Sequence, residues 1–122
     1  MNNRKLKERM KPEKQSVKVW VDDIRPKPVD YDVAFHSVND VIAYLDLIRD
    51  NAVSVLLDLD HDAGDFISDG GDYIRILDWI EETGFISANP DIHLMFRIHS
   101  ANPVGRENMR RIIEKNGWPL LL

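Results

Sequence analysis

The chain has 122 residues, is 43% hydrophobic and 30% charged, and contains no cysteine. That length suits one domain with a real core and that balance suits a soluble globular chain, while the missing thiols exclude a disulfide framework and thiolate metal sites. The net charge of −5 is uneven: residues 1–16 carry six Lys/Arg against two Glu, net +4, and residues 17–122 carry net −9.

The basic segment 1–16 is expected to be a flexible tail ahead of a single domain over 17–122. An electrostatic tether for RNA is its functional alternative. The acidic body argues against a broad nucleic-acid surface. No apolar run approaches the roughly 18 residues of a spanning helix, so no membrane contact is expected. With no secretory signal recognised at the N-terminus, the expected location is cytoplasmic.

Residues 17–21 (VKVWV) predict a first strand, with Asp22 and Asp23 directly after it. The following stretch, IRPKPVDYD, holds two prolines and predicts a loop. Residues 33–35 predict a second short strand. Ser37 predicts a helix N-cap, with Asp40 near the helix's positive end. Val38, Val41, Ile42, Leu45 and Ile48 recur at helical spacing and carry that helix to about residue 50. Residues 53–59 predict the third strand, apolar and almost without alternation, as for a strand covered on both faces. HDAGDFISD at 61–69 is an acidic loop. Asp69 is placed to cap the next helix, with Tyr73, Leu77 and Ile80 inward and Gly84 as its stop. Residues 92–98 (IHLMFRI) predict the fourth strand. Asn102-Pro103 predicts the cap and first position of a last helix. Met109, Ile112 and Ile113 face inward along it, and Asn116-Gly117 ends it. Residues 118–122 (WPLLL) form an apolar end that packs on the body or on a partner. The oligomeric state is left open.

This order of elements makes a three-layer α/β domain with a mostly parallel sheet of about four strands. Ligands bind such sheets beyond the carboxyl ends of the strands. The first strand delivers Asp22 and Asp23 there, the third Asp60, His61 and Asp62, and the fourth His99 and Ser100. Carboxylates crowded in one crevice need protons or a cation. Oxygen donors without thiolate suit Mg²⁺, Mn²⁺ or Ca²⁺ better than zinc, with Mg²⁺ and Mn²⁺ the leading expectations.

Asp62 and Asp65 also fit caps of turns. Asp58, inside its strand, fits a buried hydrogen-bonded group. His61 and His99, from different strands and beside Ser100, fit an acid and a base for phosphoester chemistry. His36 and His93 lack such company and read as structural. In HSANPVGREN (99–108) the start of a helix offers an anion site, with Ser100 and Asn102 as donors and Arg106 in the first turn. Arg25 is placed to approach the same spot.

VWVDDIRP at 19–26, LDLDHDAG at 57–64 and IHSANPVGRENM at 98–109 together resemble the cyclic-phosphate processing receiver domain family, a divergent branch of response-regulator receivers. Its pattern is L-D-D-x-R-x-P, then S-L-D-H-D-L-G, then H-S-x-N-P-x-G. The resemblance spans 17–117 and implies a shortened flavodoxin-like receiver fold, with a proline loop at 24–30 in place of one helix. It implies action on cyclic phosphates or related nucleotide ends, RNA ends included. By motif, Asp22 and Asp23 match the metal-binding acidic pair. Asp60 matches the aspartate of the phospho-acceptor strand, and His61 and Asp62 complete its D-H-D. His99, Ser100 and Asn102 match the terminal motif. Ala63 and Asp58 depart from the family's leucine and serine.

The expected function is therefore a metal-dependent phosphoesterase. Its expected metal ligands are Asp22, Asp23, Asp60 and Asp62. His61, His99, Ser100 and Asp60 are the expected catalytic residues, and Arg25, Ser100, Asn102 and Arg106 the expected phosphate-binding ones. The alternatives are a receiver phosphorylated on Asp60 and a non-catalytic module that binds a nucleotide phosphate.

Overall fold

Strand alternation decides what faces what in this chain. Val19 and Val21 of β1 (Gln15–Val21) are fully buried in the core, with Val17 packed against it, while Lys18 and Trp20 point to the opposite face. In the computed structural model, which describes residues 15–122, β1 lies between β2 (Val33–Phe35) and β3 (Val53–Leu59), and β3 pairs with β4 (Ile92–Ile98). The order is β2-β1-β3-β4 and every pair is parallel. The fold class is as expected, α/β and receiver-like.

Parallel neighbours need long crossovers. Helix α1 (Val38–Ile48) links β2 to β3, and α2 (Ile74–Thr83) with the short α3 (Phe85–Ala88) links β3 to β4. Helix α4 (Pro103–Lys115) follows β4. Helix α2 packs against both α1 and α4 over a single core, built around Leu57, Leu59, Phe96, Leu45, Leu77 and Ile113. From β1 to β2 the chain runs through the proline loop with no helix. That loop lays Tyr31, 7% exposed, over the second face, so a loop serves as the third layer there.

Ser37 caps α1 by accepting the Asp40 N–H at 3.1 Å, and Asn102 caps α4 by accepting that of Gly105 at 3.0 Å. Three boundaries differ from expectation. Strand β1 starts at Gln15 and so takes Gln15 and Ser16 from the expected tail; residues 1–14 lie outside the described part. Asp69 does not cap α2, which begins at Ile74. Gly70 and Gly71, at φ 115° and 92°, break the helical path, and Asp69 instead accepts the Asn39 N–H on its backbone oxygen. Gly84, at φ 62°, stops α2 as expected, but a further short helix, α3, starts directly after it.

Trp118 and Leu120 of the apolar end pack on the body, while Leu121 and Leu122 are exposed. Trp118 stacks on Phe96, and Leu120 forms a parallel bridge to the same residue, where a fifth strand would lie. Leu57 is fully buried in the middle of the central strand. Leu57→Ala is expected to cost about 2–5 kcal/mol, read as a lower urea midpoint at unchanged slope.

Candidate active site

Register brings the site together. Val21, Leu59 and Ile98 lie side by side as the last residues of three parallel strands. The ladder continues one step further: Asp60 N–H donates to Val21 O and His99 N–H to Leu59 O, each at 2.9 Å. Asp22, Asp60 and His99 are thereby neighbours at one edge of the sheet.

Asp22 is 1% exposed and fully engaged. Its Oδ1 accepts the N–H groups of Ile24 at 2.9 Å and Arg25 at 2.8 Å, and its Oδ2 meets His99 Nε2 at 2.9 Å. The other ring nitrogen, Nδ1, lies 2.8 Å from Asp58 Oδ1. Tyr31 donates its hydroxyl proton to Asp58 Oδ2. Arg97, opposite Asp58 in the ladder, donates to Tyr31 Oη at 3.1 Å and stands 3.8 Å from the Asp58 carboxylate. Trp20 stacks flat on the imidazole with ring centroids 3.8 Å apart.

Burial disfavours the imidazolium, but the hydrogen bonds and charges of Asp58 and Asp22 outweigh it, and the His99 pKa is raised. Burial also opposes the Asp22 carboxylate; the Arg25, Ile24 and His99 donors win and its pKa is lowered. Asp23 goes the other way, raised by burial and then by the charges of Asp22 and Asp60. Tyr73 is raised as well, by burial first and then by the nearby Asp23, Asp22 and Asp60.

His61 sits differently. Asp60 Oδ1 accepts its N–H at 2.8 Å, and its Nδ1 lies 2.9 Å from Asp62 Oδ1. Its Nε2 has no hydrogen-bond partner among the described residues. The ring packs on the start of α4, where a Cβ on Gly105 would come within 2.4 Å of His61 Cγ. Gly64, at φ 53°, is equally constrained: a Cβ there would lie 2.2 Å from Asp23 Oδ2. Two motif glycines are thus explained by close approach.

Ser100 is buried, and its Oγ accepts the Asn102 N–H at 3.0 Å. Asn102 Nδ2 is 3.4 Å from each oxygen of Asp62. Arg25 donates to His99 O at 3.2 Å and so reaches the site. Arg106 faces elsewhere, into a cavity of about 570 Å³ that Ile98, Pro103 and Leu120 also line. The reason is helical periodicity: Gly105 holds the face toward His61, and the next residue turns away from it.

Two groups of donors could each hold a cation. Ligand atoms of Asp22, Asp60 and His99 lie within 4.8 Å of one another, as do those of His61, Asp62 and Asp72. The first set brings two carboxylates and an imidazole nitrogen together, donors that suit a divalent ion, which would also offset the mutual repulsion of Asp22 and Asp60. Asp72 was not foreseen from sequence; its carboxylate also accepts the Ala63 N–H at 2.9 Å. The bonds that Asp58, Tyr31 and Trp20 make around His99 were not foreseen either. A signal existed: Trp20 and Asp58 share the strand parity opposite to the core, and His99, one past Ile98, falls on the same side.

A sequence profile of the cyclic-phosphate processing receiver domain matches residues 17–115. No curated protein and no solved structure matches the chain.

The shifted pKa values give a stability profile with a definite sign. His99 is raised, so its contribution is fully present below its ordinary 6.5 and is lost as pH rises through its folded value. Asp22 is lowered, so its contribution is present above 3.8 and is lost as pH falls through its folded value. Urea midpoints are expected to decline as pH rises above 6.5. His99→Gln should flatten that decline while lowering the whole curve; an unchanged slope would count against the assignment.

Proposed function

The chain belongs to the cyclic-phosphate processing receiver domain family, and from that membership we propose that it is a metal-dependent phosphoesterase opening a cyclic phosphate of nucleotide or RNA-end type. The observation that carries the reading is His61. Its Nδ1 is held by Asp62, its Nε2 has no partner among the described residues, and it stands beside Asp60 at the sheet edge.

A Mg²⁺ or Mn²⁺ ion would be held by Asp22 and Asp60, with Asp23 next in the chain, and would supply positive charge for the phosphate oxygens; Asp62 groups instead with His61 and Asp72. The protein's own groups do the rest. His61 Nε2 accepts the proton of the attacking water and returns one to the departing ribose oxygen, as one P–O bond forms and another breaks. Asp62 keeps the ring in the tautomer with Nε2 available, and Asn102 holds Asp62. Arg25 and the N-terminal turn of α4 offer donors to the charge that builds on phosphorus oxygens. Ser100 acts here by shaping that turn. Both ring nitrogens of His99 are engaged by carboxylates, so proton transfer falls to His61.

A second reading, a receiver phosphorylated on Asp60, draws on the position of Asp60 at the end of the central strand beside Asp22 and Asp23. Against it, the segment in the fifth-strand place, NGWPLLL, offers no lysine to read a phosphoryl charge. Beryllofluoride captured by Asp60 without any turnover would favour it.

With Mg²⁺ or Mn²⁺ present, purified protein is expected to open 2′,3′-cyclic nucleotides, and chelation should stop it. His61→Gln is expected to lower kcat about 10²–10⁴-fold with a smaller change in KM. Absence of ring opening with every 2′,3′-cyclic nucleotide and both metals would sink the proposal.

A further inference from the structure

Asp58 stands where the family pattern has serine, and it is one of the two carboxylates that hold His99. It is 2% exposed, in the central strand. Its second oxygen is fixed by the Tyr31 hydroxyl, with Arg97 3.8 Å away, so the carboxylate has one orientation. Trp20, stacked flat on the imidazole, removes the ring's remaining freedom. A buried carboxylate thus takes one ring nitrogen, and the other is aimed at a cluster of oxygens. That is the arrangement by which proteins orient histidine ligands of metals.

Distances agree with this. His99 Nε2 is 2.9 Å from Asp22 Oδ2, and one ligand atom each from Asp22, Asp60 and His99 lie within 4.8 Å of one another. Adjacent donors at about 2.1 Å from one octahedral ion are themselves about 3 Å apart. We propose that His99 is a ligand of the divalent metal through Nε2 and that Asp58 is its positioning residue through Nδ1. This rests on the metal-dependent reading above and adds a nitrogen to an otherwise oxygen donor set. A nitrogen donor shifts preference from Mg²⁺ toward Mn²⁺ and Co²⁺. On binding, the ion takes the place of the Nε2 proton, which leaves to solvent.

The test uses the full chain with Mn²⁺ alone, and no substrate, so it stands whether or not a cyclic phosphate is opened. Pulsed EPR reads a directly bonded nitrogen as a hyperfine coupling to Mn²⁺. The coupling is expected in the wild type and in His61→Gln, and is expected to be absent in His99→Gln. Asp58→Asn is expected to weaken Mn²⁺ binding about 10–100-fold with far-UV circular dichroism unchanged. If His99→Gln fails to fold, the other spectra and the Asp58→Asn affinity still decide. A Mn²⁺ signal without directly bonded nitrogen, a coupling lost in His61→Gln instead, or an unchanged affinity in Asp58→Asn would each overturn the proposal.

Discussion

The carboxyl edge of this sheet depends on one imidazole held between two buried carboxylates. Asp22 follows β1, Asp58 lies within β3 and His99 follows β4, so a single imidazole bridges the three adjoining strands. Taking carboxylates out of water is costly unless each is paired and hydrogen-bonded. Here every oxygen of Asp22 and Asp58 meets a donor. The price of that arrangement is brittleness, because loss of any member leaves a buried charge without its partner.

The proline loop makes the arrangement possible. A helix between β1 and β2 would cover the second sheet face with apolar side chains. The loop instead brings Tyr31 onto Asp58 and holds the Trp20 indole through the Arg25 carbonyl, at 3.0 Å. The same segment therefore covers the face, locks the His99 ring and delivers Arg25 to the site. Apolar burial remains on the helix side, where Leu57, Phe96 and their neighbours form the core. The chain separates the two jobs by strand parity: one face for stability, the other for oriented charge.

Two histidines that look alike in sequence are thereby given different chemistry. Each follows the end of a strand, His61 between Asp60 and Asp62 and His99 between Ile98 and Ser100. His99 has both nitrogens engaged and its ring sandwiched; His61 has one engaged and leans on Gly105. Burial and charge also grade the carboxylates. The donors of Asp22 hold its pKa below the usual carboxylate value, while that of Asp23 is raised, first by burial and then by the charges of Asp22 and Asp60.

Much of this was legible beforehand. Apolar periodicity located the four strands and three longer helices, Ser37 and Asn102 marked their caps, and alternation of elements implied parallel strands. Parallel strands in turn placed Asp22, Asp23, Asp60, His61 and His99 at one edge. Local rules failed at Asp69, because the backbone of Gly70 and Gly71 overrode a good capping residue. They also gave Arg106 to the site, although a single helical step turns it into the neighbouring cavity. Which residues reach the sheet edge follows from strand length and direction, both readable along the chain. Which of them touch follows from packing across the sheet. Asp58 is one more carboxylate in the strand until parallel register sets it beside the residue that follows β4. Such a contact depends on cross-strand geometry over 41 positions, which no local pattern encodes.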